Sequence, residues 1–238
     1  MASFFNTALY DPIYNLLIFL VGIVPFGDIG LAVIAVTVIV KLITLPLSLS
    51  MIRTQKAMKV IQPELEALKE KHKDNRETLA RETFALYKRY GVNPLSSLFL
   101  ILIQIPILIA LYWVFQGESL PQIDPSILYG FIAIPDVIRT EFLGLIPMHE
   151  KSLLLAVLAG ATQAAQAWLS IPKPTGTPGK SLAEDFGRAM TLQARYVIPV
   201  IIAFVAYATS GAVALYFVTS NLFGVAQELG FKKYKVRG

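Results

Sequence analysis

Five apolar stretches dominate this chain of 238 residues, and most of them are long enough to cross a lipid bilayer as helices. A helix needs about 20 apolar residues to cross roughly 30 Å of hydrocarbon. Charged residues make up only 16% of the chain, whereas soluble domains average about 25%. The sequence therefore predicts an all-α, polytopic membrane protein with five transmembrane helices, at 29–49, 94–116, 151–171, 195–209 and 210–229.

The fourth of these stretches is short for a membrane span. Its apolar residues, Tyr196 to Thr209, would rise only about 21 Å at 1.5 Å per residue. Either the helix begins earlier, from Met190 onward, or the bilayer thins locally. Ser210 and Gly211 separate this stretch from the fifth, so the two are expected to form a tight helical hairpin.

The N-terminal segment has an apolar run, Leu16 to Phe26, that is shorter than a span. It lacks the basic region and the small-residue cleavage site of a signal peptide. We expect residues 12–24 to form a helix at the membrane interface, with Tyr10 and Tyr14 at the level of the lipid headgroups. A signal-like or re-entrant segment is the alternative.

Lys and Arg residues are distributed unevenly between the connections of the predicted spans. When Arg195 and Lys151 are counted with the connections that they adjoin, eighteen basic residues lie in alternate connections and only two in the others. Because basic connections remain in the cytoplasm, the N-terminus is predicted to lie outside and the C-terminus in the cytoplasm. The segments outside the spans are an external N-terminal segment 1–28, a cytoplasmic helical hairpin 50–93, an external loop 117–150, a cytoplasmic loop 172–194 and a basic cytoplasmic tail 230–238.

The hairpin 50–93 has apolar residues near helical spacing on both of its predicted helices, 51–70 and 76–90. A thin stripe of this kind suits two helices packed on each other. A basic hairpin close to the membrane is typical of contact with lipid headgroups, RNA or another protein. A solvated, mobile hairpin without a partner is the alternative.

Lys41 lies inside the first predicted span, where a cation costs about 2.5–3.5 kcal/mol at the helix centre. Thr37, Thr44 and Ser48 follow helical spacing around it, which predicts that all four side chains share one face. We expect this face to line a hydrated cavity open to the cytoplasm. Snorkelling of the lysine stem to the interface is the alternative, although it leaves the row of hydroxyl groups unexplained.

Other predicted spans carry polar residues that are expected to line the same cavity. Each of them alone could equally be a hydrogen-bonding clamp between helices. Their combined number favours a polar groove. These residues are Gln104 in the second span, Gln163 and Gln166 in the third, and Tyr216, Thr219, Ser220 and Asn221 in the fifth.

Enzyme chemistry and metal binding have little support in the sequence. There are no cysteines, and the two histidines lie far apart in the chain. No nucleophile–base pair and no phosphate-binding loop is visible. The chain is therefore expected to be no enzyme and to need no metal or other cofactor.

Four long motifs are distributed along the chain. The longest is LYKRYGVNPLSSLFLILIQIPILIALYWV at 86–114, which includes Gly91, Asn93 and Pro94. The others are GLAVIAVTVIVKLITLPLSLS at 30–50, MKVIQPELEALKEKHKDN at 58–75 and SGAVALYFVTSNLFGVAQ at 210–227. Together they resemble the YidC/Oxa family of membrane protein insertases over nearly the whole chain: the first motif is the most specific match, and the other three resemble the family's first span, hairpin and last span.

The resemblance implies a positively charged groove that opens to the cytoplasm and sideways to lipid. Lys41 matches the position of the family's usual Arg, and Thr37 matches a hydroxyl one turn earlier. Tyr216 and Phe217 match tandem tyrosines, so the second hydroxyl is missing here. Nascent membrane proteins, the ribosome, membrane lipids and a Sec-type translocon are the implied partners, and the bacterial cytoplasmic (inner) membrane is the expected location.

The basic tail is the candidate contact for ribosomal RNA or lipid, since closely spaced cations favour phosphate. Anchoring by positive charge alone is the alternative. A small-molecule transporter would predict inverted repeats, which are not visible, and a purely structural subunit would predict no accessible groove. The tail cations are Lys232, Lys233, Lys235 and Arg237.

Overall fold

A computed structural model describes residues 5–73, 75–91, 105–110, 112–114, 123–171 and 188–232. The chain divides into two compact units, one of residues 1–43 and 105–238 and one of residues 44–104. Apart from two strands of two residues each, the regular elements are helical, in agreement with the all-α prediction.

The first unit contains most of the helices. A π-helical turn, Asn6–Tyr10, leads into α1 (Asp11–Ile23), and a 3₁₀ turn, Pro25–Gly27, leads into α2 (Ile29–Ile43). The other elements of this unit are α5 (Ile105–Val114), β1 (Glu141–Phe142), β2 (Ile146–Pro147), α6 (Leu153–Ser170), a π-helical turn (Gln193–Val197), α7 (Ile198–Ala208) and α8 (Gly211–Lys232).

The second unit is a pair of helices, α3 (Leu45–Lys71) and α4 (Arg76–Arg89). Ile61, Leu65 and Leu86 form its small buried core. Asn75 begins α4 by accepting a hydrogen bond from the Thr78 N–H at 3.0 Å. The predicted pair of helices is therefore present, with its first helix beginning at Leu45; its cytoplasmic location stays a prediction.

Pro46 explains why the first predicted span, 29–49, is not one continuous helix. Helix α2 ends at Ile43 and α3 begins at Leu45, with Thr44 between them. Proline has no N–H for the carbonyl four residues earlier, and its ring crowds that carbonyl. The prediction of a single face for Thr37, Lys41, Thr44 and Ser48 is therefore corrected: only Thr37 and Lys41 belong to α2, and Ser48 belongs to α3.

Three described helices are long and apolar enough to cross a membrane, and a fourth span results if Ile29–Ile43 and Leu45–Met58 count as one broken helix. The three are Asn6–Ile23, Leu153–Ser170 and Arg188–Ala208. The third of them begins at Arg188, so the short fourth stretch does gain residues at its start. The number of five spans stays a prediction.

Helix α8 does not pass the same test of apolarity, although the fifth span was predicted there. It packs against α2, α6 and α7, and every residue from 210 to 217 is buried. A helix that packs against several other helices can carry polar side chains that find partners within the protein. The modest apolarity of α8 is compatible with this packing, although Leu222 and Leu229 in its second half are exposed.

The N-terminal helix is longer than the apolar run that predicted it, because it starts at Asn6. Tyr14, expected at the lipid headgroups, is instead fully buried in the protein. Its hydroxyl accepts a hydrogen bond from the Asp124 N–H at 3.0 Å. The helix as a whole packs against α2.

Small residues allow the closest approach between α6 and α7. A Cβ atom on Gly160 would lie 2.8 Å from the Cβ of Ala203 and 3.2 Å from the carbonyl oxygen of Pro199. Both neighbouring atoms belong to rigid groups, so neither can move aside without shifting the helix. Small side chains of this kind are typical of helix contacts within membranes.

The substitution Gly160→Ala is expected to destabilise the protein by about 1–3 kcal/mol, since the added methyl group must push α7 away from α6. Thermal unfolding of the purified protein in detergent measures the effect. Gly230→Ala is the matched control, because a Cβ there meets no atom within 4 Å. Equal melting temperatures for the two variants would contradict the close contact.

Candidate functional site

Lys41 lies in the last turn of α2 and is the one charged residue of that helix. Its side chain is half-buried. Thr37, one turn earlier, is buried and donates its hydroxyl hydrogen to the carbonyl oxygen of Val33 at 2.7 Å. The Thr37 proton is thus used within the helix, whereas its oxygen keeps the capacity to accept a further hydrogen bond.

Helix α8 carries the predicted site residues Tyr216 and Thr219 between α2 and α6. Tyr216 is buried, with its ring centre 5.6 Å from that of Phe217. Thr219 is half-buried and donates to the carbonyl oxygen of Leu215 at 2.9 Å. Tyr216 and Thr37 therefore belong to the packed interior, while Lys41 and Thr219 retain partial exposure.

Gln163 and Gln166 lie on α6, one turn apart, and both are half-buried. The Gln166 side chain rests directly against the backbone of α8 at Gly224. A Cβ on Gly224 would come within 2.2 Å of the Gln166 Nε2 atom. The glycine thus makes room for the amide group, so Gln166 is a contact between helices as well as a polar residue of the predicted groove.

Asn221, one of the polar residues noted in the fifth predicted span, forms hydrogen bonds between two helices. It is buried in α8 and donates from Nδ2 to the Ala159 carbonyl oxygen and to the Thr162 Oγ1 atom of α6, at 3.2 Å each. A buried amide in an apolar helix needs such partners. An asparagine within an apolar stretch of sequence indicated a hydrogen bond between helices, but only the fold shows that Asn221 reaches α6.

Arg195 also has a role that its sequence position did not indicate. It was counted as a basic residue of a cytoplasmic connection, yet its side chain is buried. The Nη1 atom donates to the carbonyl oxygen of Ile171 at 2.6 Å, immediately after the end of α6. A cation is favourable at the C-terminal end of a helix, where carbonyl groups lack partners.

The loop of residues 123–150, called the connecting loop below, covers the end of the first unit where α2 and α8 begin. The Asp28 carboxylate joins α2 to the connecting loop. Its Oδ1 atom accepts a hydrogen bond from the Leu31 N–H at 3.0 Å, and its Oδ2 atom accepts one from the Leu143 N–H at 2.7 Å. Gly211 and Ala212 donate their N–H groups to carbonyl oxygens of the loop. Hydrogen bonds to the Asp28 carboxylate and to backbone carbonyl groups therefore hold the loop over this end of the helices, which is called the closed end below.

Lys41 lies far from the closed end. Thirteen residues separate it from Asp28, which is about 20 Å along a helix. The charge and the closure thus occupy opposite ends of α2. This arrangement suits a site that is entered from the Lys41 end.

The remaining predicted site residues fall elsewhere. Thr44 accepts a backbone hydrogen bond from Ser48 at 3.0 Å, and both belong to the second unit. Lys232 is the last residue of α8. Within the described ranges, no group of three or more acidic or histidine side chains is arranged to hold a metal ion. Gln104, Lys233, Lys235 and Arg237 lie outside the described residues.

Comparison with known proteins shows a match between residues 20–237 and the family described as 60Kd inner membrane protein. A protein of Clostridium tetani named membrane protein insertase YidC is 33% identical over 209 residues, which cover 88% of this chain and 84% of that protein. A protein of the same name from Fusobacterium nucleatum is 33% identical over 85% of each chain. One from Francisella tularensis subsp. novicida is 33% identical over 85% of this chain but only 32% of its own length.

Asn221→Leu is expected to lower the free energy of unfolding by about 1 kcal/mol, since hydrogen bonds between membrane helices contribute about 0.6 kcal/mol each. Leucine keeps the branching of the side chain at Cγ while removing both donated bonds to α6. Unfolding in detergent measures the loss. Thr219→Val serves as the control, because Thr219 bonds within its own helix; a loss as large in that variant would argue against the clamp.

Proposed function

Because this chain belongs to the 60Kd inner membrane protein family, the YidC/Oxa family, we propose that it is an insertase that places nascent proteins into the bacterial inner membrane and assists their folding there. The relatives named as insertases are matched over most of their length in two cases. Proteins of this family are not enzymes in the usual sense, and the proposed activity requires no covalent step.

A half-buried cation in the last turn of α2 is the observation that carries the proposal. Lys41 is positioned to attract an acidic residue of an incoming chain as it passes. Attraction in a poorly solvated site is stronger than in water, so a transient contact lowers the barrier for moving polar segments into the bilayer. Lysine lacks the planar fork of arginine, which favours a contact that is released easily.

The proposed groove has polar side chains from three helices. Lys41 of α2, Gln163 and Gln166 of α6, and Thr219 of α8 are half-buried, and they contribute groups that hydrogen-bond to a polar substrate segment. Thr37 and Tyr216 shape its wall from within the packed interior. Thr44, Ser48 and Gln104 belong to the second unit and stay predictions from the sequence. A lateral opening of the proposed groove would release the apolar part of the substrate into lipid.

Closure by the connecting loop supports an orientation with this end outside the cell. The loop has few basic residues, whereas residues 50–94 have ten, as the positive-inside rule requires for opposite sides. A closed outer end prevents leakage, because substrate and water enter only from the cytoplasmic side. The proposed topology has five spans, with the N-terminus outside and the C-terminus in the cytoplasm.

Contacts of α1 support its placement at the outer interface. Asn15, near the middle of the N-terminal helix, donates to the Ile127 carbonyl oxygen and accepts from the Tyr129 N–H. Asp124 and Ser126 lie beside these contacts and are exposed. If the helix crossed the membrane, an exposed carboxylate and irregular backbone would face hydrocarbon at its midpoint, which is highly unfavourable.

Lys41→Ala is expected to reduce insertion of a short single-span protein with an acidic translocated tail by about tenfold, the size of effect that removal of one contact of about 1.4 kcal/mol produces. Proteoliposomes containing only this chain, with empty liposomes for background, provide the measurement. Lys41→Arg is expected to retain activity because it retains the charge.

Lys151→Ala is the control for nonspecific loss of a cation, since Lys151 is exposed and precedes α6. Substrates whose translocated tails are neutral are expected to lose much less insertion in Lys41→Ala. Full activity of Lys41→Ala on the acidic substrate would reject the charge model. Absence of insertion by the wild type would reject autonomous insertase activity.

The basic tail is proposed to contact ribosomal RNA. The other proposed partners are a Sec-type translocon and the membrane lipids, which the cytoplasmic hairpin is proposed to contact. Replacing Lys233, Lys235 and Arg237 with Gln is expected to reduce cosedimentation with ribosomes and its dependence on salt, because fewer counterions are released. Exchanging the same lysines for Arg preserves charge and is expected to preserve binding. Unchanged cosedimentation of the Gln variant would leave topology as the role of the tail.

A further inference from the structure

The connecting loop exposes large apolar side chains to an unusual degree. Phe131 and Leu145 are 80% and 81% exposed, and Leu143 is 61% exposed. Scattered apolar residues on a surface are ordinary. Several large ones on a single loop form a surface that is unfavourable in water and is typical of an interaction site.

The tip between β1 and β2 is held in place with its leucines outward. Leu143 has a positive φ of 54°, a conformation that is costly for a bulky residue. The buried Asp28 carboxylate accepts the Leu143 N–H, and Phe142 packs so closely on Gly30 that a Cβ there would lie 2.4 Å from its ring. The exposure of Leu143 and Leu145 is therefore imposed by fixed contacts.

A second apolar group lies where α1 ends. Phe26 is 71% exposed and also has a positive φ, of 61°. With Ile134 and Val137 it lines a cleft of about 550 Å³. The Arg139 guanidinium lies 4.9 Å from the centre of the Phe26 ring, so this part of the surface combines apolar side chains with a cation.

We propose that these side chains form an apolar rim that inserts into the outer leaflet of the membrane. The rim lies at the boundary between acyl chains and headgroups, where aromatic and leucine side chains of interfacial segments are buried about 5–10 Å deep. Arg139 then lies at the level of the headgroup phosphates, which it can bind through its guanidinium. The rim consists of Phe26, Phe131, Ile134, Val137, Leu143 and Leu145.

Lipid is the occupant that the neighbouring surface favours. Phe19 and Ile23 of α1 are exposed apolar residues next to this end of the helix, and in a membrane protein such residues face lipid. Phe26 of the rim lies in the turn that directly follows this helix. The acidic neighbours of the rim, Glu141 and Asp136, are exposed, so attraction to anionic lipid is weak and apolar burial supplies the binding.

The inference rests on the proposed outer position of the connecting loop and not on insertase activity. Insertion of the rim would fix the depth of the loop in the bilayer. Through Asp28, it would also fix the depth at which α2 begins. The connecting loop, which covers the outer end of the proposed groove, would thus be held by lipid as well as by hydrogen bonds.

Single cysteines test the rim directly, because the chain has no native cysteine. Leu145→Cys and Phe131→Cys carry an environment-sensitive NBD label in nanodiscs of phosphatidylcholine that hold one copy of the chain. Glu141→Cys is the matched control, since it is an exposed polar position on the same hairpin. Nitroxide-labelled lipids report contact with the bilayer.

Both rim positions are expected to show blue-shifted emission and quenching by shallow nitroxides several-fold stronger than at position 141. Aqueous emission with equal, weak quenching at all three positions would overturn the proposal. Blue-shifted emission without lipid quenching would also overturn it, because protein would then cover the rim. None of these readouts depends on insertion activity, so the result stands apart from the test of Lys41.

Discussion

Close packing around α8 is the constraint on which the first unit depends. Hydrocarbon provides no hydrophobic gain when one apolar helix leaves lipid for another, so association requires close contact and hydrogen bonds between helices. Gly224 allows Gln166 of α6 to approach α8, Gly160 allows α6 to approach α7, and Asn221 adds hydrogen bonds from α8 to α6. The polar character of α8 is compatible with the membrane because three helices pack against it.

The two ends of α2 differ in their surroundings. Its first turn is capped by Asp28, which also holds the connecting loop, and its last turn carries Lys41. Closure at one end and charge at the other give the proposed groove a direction. The same carboxylate orients the apolar rim, so one buried side chain links the helix, the cap and the proposed contact with lipid.

Local patterns were sufficient for the pair of helices in the second unit and for the helical nature of the apolar stretches. Apolar spacing predicted the packing of Ile61 and Leu65 on the second helix, and Asn75 marks the start of that helix. The pattern failed at Thr44, where Pro46 interrupts the helix and divides the predicted row of hydroxyl groups. It also underestimated the N-terminal helix, since Asn6 to Asn15 contain polar residues that bond within the protein.

The sequence by itself determined the membrane character, the asymmetry of basic charge and the presence of a cation within an apolar helix, because these depend on composition and on short spacings. Tertiary structure alone decided that Asn221 reaches α6, that Thr37 and Tyr216 are buried while Lys41 is half-exposed, and that Asp28 joins α2 to a loop more than 100 residues away. These contacts join residues distant in the chain. Which helix faces another is set by the fit of small and large side chains throughout the bundle, and no local pattern encodes that fit.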